Sequence, residues 1–343
     1  MNKILVTGGC GYIGSHTIID LIEHGFDVIS VDNNVRSSVS MLNRVQEITG
    51  TNVPHYPIDL CDLEATQNIF ETHPDILGVI HFAAYKSIPE SVGSPLLYYR
   101  NNLNSLINIL DCIQQYKVPY FVFSSSCSVY GNVQKLPVTE ETPFGIAESP
   151  YANTKQMGEQ IISNFSKAYP EHKTILLRYF NPGGAHPSGK IGEILEEGIT
   201  NVIPVMIEAH LGLRNPFTVH GKDYDTRDGS CIRDYIHIMD LANAHTKSFQ
   251  YLQNNANAPS SDIFNVGIGQ GVSVFELIKA FDKAVGESLN YTVGPRRAGD
   301  IAAIYANYEK ANRLLGWSPK YSIDEVMESA WAWYQYYQKG QEA

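Results

Sequence analysis

The stretch "VTGGCGYIGSH" (residues 6–16) decides the fold. Its glycines stand at 8, 9, 11 and 14. Gly9, Gly11 and Gly14 give the spacing G-x-G-x-x-G, and Gly8, Gly11 and Gly14 give G-x-x-G-x-x-G. The apolar run "KILVTG" (3–8) leads into it, and a helical pattern through Ile18 and Ile22 follows, ending at Gly25. Strand, glycine turn and helix in that order make a seat for a pyrophosphate. Glycine permits the tight turn, lets the backbone approach the phosphates and lets helix and strand pack closely. The first N–H groups of the helix offer partial positive charge to the anion. The same glycines also suit a tight turn with no ligand. The second strand, "DVISVDN" (27–33), favours the ligand: it ends at Asp32, whose carboxylate accepts hydrogen bonds from adenosine ribose hydroxyls and repels a 2′-phosphate. Asn33 and Asn34 bring no cation there, and Arg36 is the nearest one, so NAD is favoured over NADP.

Outward from the turn, strands are expected at 52–60 ("NVPHYPIDL"), 76–84 ("ILGVIHFAA"), 119–126 ("PYFVFSSS") and 174–180 ("TILLRYF"). Helical segments fall between them, for example 101–116 ("NNLNSLINILDCIQQY"). The unbroken apolar run at 76–84 is what a strand buried on both faces requires. This alternation predicts an α/β fold, a Rossmann-type doubly wound parallel sheet covered on both faces. After residue 180 the rhythm breaks, and glycine, proline and charge become denser through 181–235. Helices return at 239–252 and 273–286, the latter opening on a capping box of Ser273 and Glu276. Ser322 and Glu325 mark a second box at the start of the last helix. The chain divides into a first lobe, 1–180 with 235–268 returning to it, and a smaller α/β lobe, 181–234 with 269–343.

With 343 residues, 43% apolar and 18% charged, the chain can bury two cores. A net charge of −11 argues against nucleic acid or an anionic membrane as partner. Cys10, Cys61, Cys112, Cys127 and Cys231 are scattered without a Cys-x-x-Cys. Neither a disulfide framework nor a zinc site is indicated, no metal is expected, and a reducing cytoplasm is the simplest compartment. The opening "MNKILVTGG" has too short an apolar run for a signal peptide, and no stretch approaches a transmembrane span.

Two more stretches carry chemistry. "FVFSSSCSVYG" (121–131) brings three serines, Ser124 to Ser126, to the end of a buried strand. "SPYANTK" (149–155) sets Tyr151 and Lys155 four residues apart, on one face of a helix. Serines at a strand end also serve backbone groups, and Tyr-x-x-x-Lys recurs by chance. No G-x-S-x-G elbow surrounds the serines, which counts against a Ser–His–acid triad. Beside a dinucleotide turn they point elsewhere. A free tyrosine, with a pKa of roughly 10, is a poor base at neutral pH. A lysine ammonium and a positive nicotinamide ring favour its phenolate. A serine hydroxyl can bridge substrate and tyrosine, so that the set removes a proton from a secondary alcohol as hydride leaves for NAD. Arg233 and the pair Arg296–Arg297 are the cations an acidic protein places against a diphosphate, with Asp300 an acceptor for a ribose; surface ion pairing is their ordinary alternative. Asp59 suits either the adenine region or a helix N-cap. Lys86, within "HFAAYKS" (81–87), suits either the ligand edge of the sheet or an ordinary surface position.

The glycine turn, the serine ending the fifth strand and Tyr-x-x-x-Lys together resemble the extended short-chain dehydrogenase/reductase family. "RYFNPGGAH" (178–186), "RDYIHIMDLA" (233–242) and "PRRAGD" (295–300) narrow the resemblance to its sugar-nucleotide 4-epimerases, from about residue 3 to 320. The resemblance implies a tightly bound NAD that is never consumed. It also implies reversible interconversion of UDP-galactose and UDP-glucose at C4 through a 4-keto sugar, in galactose metabolism. Tyr151 would take the 4-hydroxyl proton, Ser126 would hold that hydroxyl, and Lys155 would lower the tyrosine pKa and bind the nicotinamide ribose. NAD would be lined by Gly8, Gly11, Tyr12, Ile13 and Gly14, by Asp32, Asn33, Asp59 and Leu60, and by Phe82, Ala83, Ala84 and Lys86. Asn101, Ser124 and Phe180 complete that set with Tyr151 and Lys155. Lys86, Ser126, Tyr151, Asn181 and Asn201 would hold the UDP-sugar, with His220 at the uracil and Arg233, Arg297 and Asp300 around the rest of the nucleotide. The first lobe would be the NAD-binding domain and the second the UDP-sugar-binding domain. A homodimer is implied too, through helix 101–116 and the helix carrying Tyr151.

Several positions depart from the family's usual pattern. Ala152 stands where glycine is typical. Gly183 replaces a common valine, which would loosen its loop, and His220 stands where an aromatic ring often covers the uracil. The segment 191–204 is one residue shorter than usual. Ile304, or Tyr305 one residue on, falls where the side chain gates sugar size, leaving open whether N-acetylated UDP-sugars enter. Related 4,6-dehydratases carry an Asp–Glu pair after the catalytic hydroxyl residue; here Cys127 and Ser128 follow Ser126. A nucleotide-sensing module on the same fold has no need of Ser126, Tyr151 and Lys155 together.

Overall fold

Strands β1 (Lys3–Thr7), β2 (Asp27–Val31), β3 (His55–Tyr56), β4 (Ile76–His81), β5 (Tyr120–Ser126) and β6 (Lys173–Tyr179) follow one another through the first half of the chain. Short strands β7 (Asn181–Gly183), β8 (Phe217–His220), β9 (Ile232–Arg233) and β10 (Tyr235–His237) precede β11 (Ser261–Val266), and β12 (Val272–Ser273) and β13 (Tyr291–Gly294) come last. The computed structural model describes residues 3–194, 201–297 and 300–341. Seven strands form one parallel sheet in the order β3-β2-β1-β4-β5-β6-β11. The strand order reverses between β1 and β4, the point at which such sheets open a crevice beyond their carboxyl ends.

The helices are α1 (Tyr12–Glu23), α2 (Ser40–Thr49), α3 (Leu63–Thr72), α4 (Ile88–Gly93), α5 (Pro95–Gln115), α6 (Pro150–Ala168), α7 (Val202–His210), α8 (Ile238–Asn254), α9 (Val274–Val285), α10 (Glu309–Leu315) and α11 (Ile323–Gln341). Successive side chains of a strand point to opposite faces, so each sheet strand feeds two cores. Ile4, Val6, Ile80, Val122 and Ile175 pack with Ile18 of α1, Val45 of α2 and Phe249 of α8. Leu5, Val79, Phe121 and Leu176 pack with Phe70 of α3, Ile109 of α5 and Ile162 of α6. Helices thus cover both faces. Gly78 in β4 is required by this packing, since a Cβ there would lie 2.2 Å from the Phe249 ring. Among the described residues, no helix is long and apolar enough to cross a membrane.

The third strand is shorter than the expected 52–60, because Pro54 and Pro57 bracket it and cannot donate to a ladder. It still accepts from β2 through the carbonyls of Pro54 and Tyr56. The helix expected at 101–116 starts earlier, at Pro95, whose fixed φ suits the first helical position. Both capping boxes form. Ser273 and Glu276 bond reciprocally at the start of α9, and Ser322 and Glu325 do so at the start of α11.

After β6 the chain builds a second core, in which Met206 of α7, Leu277 and Phe281 of α9, and Val326 and Met327 of α11 meet. Three two-stranded ladders, β7 with β10, β9 with β12 and β8 with β13, lie in this part of the chain. Between them α8 and β11 run back, α8 onto α1 and β11 onto β6. Gly183 does not loosen its loop as expected: the side chain of Ile203 fills the space, with its Cδ1 2.4 Å from where a Cβ would stand.

Four buried histidines set a pH dependence of stability. Burial pushes His16 and His81 down to about 3, and His237 and His245 down to about 4. The unfolded chain takes up these protons near pH 6.5 and the folded chain does not, so stability falls as pH drops below that value. Asp234 and Asp240, pushed by burial to about 6, act oppositely between there and the ordinary aspartate range, but are two against four. The urea midpoint is expected to decrease steadily from pH 7 to pH 4.5; a midpoint that rises over that range would contradict the assignment.

Candidate active site

Gly8 adopts a φ of +69° and donates its N–H to the Val31 carbonyl at 2.7 Å, fixing the end of β1 against β2. Its own carbonyl accepts from Gly11 N–H at 3.1 Å. A Cβ on Gly14 would lie 2.2 Å from that carbonyl oxygen, and one on Gly8 would lie 2.9 Å from the Ala83 nitrogen. The turn is therefore full, and only glycine fits. α1 begins after Gly11, which has no side-chain cap, so the first N–H groups around Tyr12 and Ile13 have no N-cap side chain to accept from them. The Tyr12 hydroxyl reaches across to donate to the Gly184 carbonyl at 2.6 Å.

Asp32 lies beside this turn. Its carboxylate accepts from Cys10 N–H (3.2 Å), Asn34 N–H (3.0 Å) and the Ser37 hydroxyl (2.7 Å). Asn33 accepts from Val35 N–H, and Arg36 is turned away, paired with Glu90 and lying 5.4 Å from the Tyr85 ring centre. Asp59 accepts from Cys61 N–H at 2.9 Å, and the N-cap of α3 is Asp62, so the helix-cap alternative for Asp59 is excluded. Leu60 is buried; Phe82, Ala83 and Ala84 lead away from β4 and are partly covered, Phe82 lying 4.6 Å from the His245 ring. Asn101 of α5 donates to Asn102 at 2.9 Å. A full glycine turn, an uncapped helix start and a carboxylate at the end of β2 fit a dinucleotide.

The three serines ending β5 are buried and have separate tasks. Ser124 pairs its hydroxyl with that of Tyr179, Ser125 donates to Glu159, and Ser126 accepts from Ser128 N–H at 3.2 Å. Ser126 also presents its hydroxyl to the Tyr151 phenol and favours the ionised form. Tyr151 lies in the first turn of α6, whose start is set by the Ser149 cap and Pro150. One turn on, buried Lys155 holds its Nζ 6.0 Å from the Tyr151 ring centre and donates to the Ser124 carbonyl at 2.6 Å. Ser126, Tyr151 and Lys155 thus meet at the carboxyl end of the sheet.

The protein's own groups supply only part of what is expected to favour the Tyr151 phenolate, since Lys155 acts there together with a positive nicotinamide ring. Burial pushes Tyr151 above its ordinary range, Tyr179 adds to this, and Ser126 is what pulls it back. Desolvation is the largest cause: a phenolate in this buried position loses the water that would stabilise its charge. Burial also lowers Lys155 itself, to about 8, with Glu159 opposing.

Phe180 is buried with Val129, Tyr130, Val138, Ile304 and Ala306. Ile304 is buried within this cluster, while Tyr305 lies against Gly271. Arg233 and Asp300 pair with each other, and Arg233 also donates to the Ile232 carbonyl at 2.8 Å. Arg296 is engaged with Asp223 and lies 4.2 Å from the Tyr224 ring centre. Arg297 is exposed, and its charge helps burial lower the pKa of His220 at the end of β8. Asn181 opens β7, its N–H bonded to the Asp234 carbonyl. Asn201 heads α7 and, with exposed Lys86, donates to Glu193. Residues 195–200 of the shortened segment, and residues 298–299 of "PRRAGD", lie outside the described residues.

Sequence reasoning missed the support behind the serines. Glu159 and Arg178 form a buried ion pair at 2.7 Å, and Glu159 also receives the Ser125 hydroxyl. Arg178 donates to the Tyr130 hydroxyl at 3.1 Å, which donates in turn to Asn265 at 2.6 Å. The signal was present: an arginine inside an apolar strand, and an acid four residues after Lys155.

Fold and glycine turn define the class, a short-chain dehydrogenase/reductase. A sequence model described as GDP-mannose 4,6 dehydratase matches residues 5–330. The UDP-glucose 4-epimerase of Bacillus subtilis is 44% identical over 330 residues, 96% of this chain and 96% of its own. The crystal structure of UDP-glucose 4-epimerase from Bifidobacterium longum, in complex with NAD+ and UDP, matches with a TM-score of 0.93 at 42% identity, over 99% of this chain and 100% of that one. The UDP-Glc/GlcNAc 4-epimerase from Campylobacter jejuni matches with a TM-score of 0.85 at 35% identity, over 98% of this chain and 100% of that one. The chain belongs to the NAD-dependent epimerase/dehydratase branch of the extended short-chain dehydrogenase/reductase family.

Proposed function

We propose that the chain is an NAD-dependent UDP-glucose 4-epimerase that interconverts UDP-galactose and UDP-glucose. The observation that carries this reading is the meeting of Ser126, Tyr151 and Lys155 at the same carboxyl edge of the sheet as the glycine turn. When bound, NAD supplies the acceptor and donor of hydride for C4 of the sugar. The turn from Gly8 to Gly14 holds its pyrophosphate and Asp32 its adenosine ribose. Ser126 holds the C4 hydroxyl, and the Tyr151 oxygen takes its proton and later returns it. Lys155, buried and fixed to the Ser124 carbonyl, keeps a positive charge near the phenol through neutral pH, its pKa being about 8. Arg233 and Arg297 hold the diphosphate, Asp300 the uridine ribose, and His220 covers the uracil; Asn181 and Asn201 complete the grip. The first lobe, 1–180 with 235–268, is the NAD-binding domain, and the remainder binds the UDP-sugar.

Dehydration at C5 and C6 needs acids beside the catalytic hydroxyl residue, and Cys127 and Ser128 supply none. A second substrate class has support: Ile304, smaller than a tyrosine, is buried in the cluster that holds Phe180, and the Campylobacter jejuni relative is named for both glucose and N-acetylglucosamine forms. Leu96, Leu97 and Ile107 of α5 are exposed, which supports a homodimer packed through α5 and α6. The five cysteines are free thiols, in keeping with the cytoplasm.

The test is a panel of UDP-sugars, with and without N-acetyl groups, incubated without added NAD and followed by NMR. UDP-galactose is expected to give UDP-glucose. Unchanged UDP-galactose, from a preparation whose NAD content is intact, would overturn the reading, as would a 4-keto-6-deoxy product.

A further inference from the structure

No sequence motif singles out Glu193, yet three parts of the molecule close on it. Its Oε1 accepts from Nζ of Lys86, which follows β4, at 3.3 Å, and from Nδ2 of Asn201 in the second lobe at 2.6 Å. Its backbone carbonyl accepts from Nε1 of Trp333 on α11 at 2.8 Å, so its place is fixed independently of its carboxylate. The Glu193 side chain is 12% exposed, against 64% for Lys86. Asn201 is the N-cap of α7, but its side chain makes no cap bond. Asparagine in that position ordinarily accepts from the N–H groups of its own helix. Here its amide is given to a carboxylate instead. That bond is charge-assisted and runs from an exposed amide to a mostly buried carboxylate, whereas the pair with exposed Lys86 is weak on its own.

We infer that Glu193 is a positioning residue of the sugar-nucleotide site: one carboxylate sets Lys86 of the first lobe and Asn201 of the second side by side, as paired donors to the anionic diphosphate. The inference rests on the role proposed above for Asn201 and on the place beside the UDP-sugar that the family resemblance implies for Lys86. On charge alone, a carboxylate beside a diphosphate repels it. What Glu193 contributes is geometry, by orienting two donors that arrive from different lobes.

Glu193→Ala and Glu193→Gln test this by calorimetric UDP binding, UDP-galactose kinetics and thermal unfolding. The alanine variant is expected to weaken UDP binding and raise KM by about tenfold, the worth of one charge-assisted bond, with kcat within about twofold and the thermal midpoint little changed. Glutamine, whose amide oxygen still accepts from Asn201, recovers most of the loss. In an Asn201→Ala background, Glu193→Ala has a smaller effect than it has alone, because only its hold on Lys86 is left to lose. Unchanged UDP affinity and KM in Glu193→Ala overturn the inference, and so does an additive double variant or a loss that tracks the thermal midpoint. UDP binding is read without turnover. A wild type that binds UDP but converts no UDP-galactose therefore removes the proposed reaction and leaves this test standing.

Discussion

Tyr151→Phe is expected to lower kcat for UDP-galactose by about a thousandfold, within the range that a positioned proton-transfer group contributes. The substitution is clean because the surroundings of the ring do not depend on its hydroxyl. The start of α6 is held by Ser149 and Pro150, and the ring packs the same way without its oxygen. Among the described residues, what is lost is the contact with Ser126. UDP affinity and NAD content should therefore stay near wild type, and the loss should fall on kcat and not on KM. Replacing Lys155 would be harder to interpret, since it also strips the buried Ser124 carbonyl of its donor. Turnover within tenfold of wild type in Tyr151→Phe would place the base elsewhere.

The largest loss of stability is expected at a residue without substrate contact. Glu159→Ala should cost about 3–5 kcal/mol, because it leaves the Arg178 guanidinium charged and unpaired in the core. Both side chains of this pair are almost wholly buried, 3% and 4% exposed. The variant also removes the acceptor of the Ser125 hydroxyl, one residue from Ser126. Chemical unfolding measures the loss directly. Replacing both partners, as Glu159→Leu with Arg178→Met, should recover much of it, since matched apolar groups leave no stranded charge. A loss under about 1 kcal/mol in Glu159→Ala would show that Arg178 finds other support.

What the sequence made legible was periodic or local. The glycine spacing, the alternation of strands and helices and both capping boxes follow from rules with a reach of a few residues. The Tyr-x-x-x-Lys face needed only a helix to become a juxtaposition. Three features needed the third dimension. Asp59 and Asp62 offer the same chemistry three residues apart, and only the backbone shows which one caps α3. Ile304 and Tyr305 are told apart only in space, the first buried in the cluster that holds Phe180 and the second lying against Gly271. The balance of burial against charge at Tyr151 depends on Tyr179 and Ser126, contributed by two different strands. Glu193 carries no pattern at all, because its partners lie at positions 86, 201 and 333.

The late arrival of β11 bears on how the protein is made. During synthesis β6 emerges with one edge unpaired and waits until residues 261–266 leave the ribosome before that edge is sealed. Until then an apolar strand, "TILLRY", stands ready to recruit a neighbouring nascent chain. The sheet consequently cannot be completed until residues 181–260 have been made, and a product truncated before residue 261 would be a candidate for aggregation and not a smaller working unit.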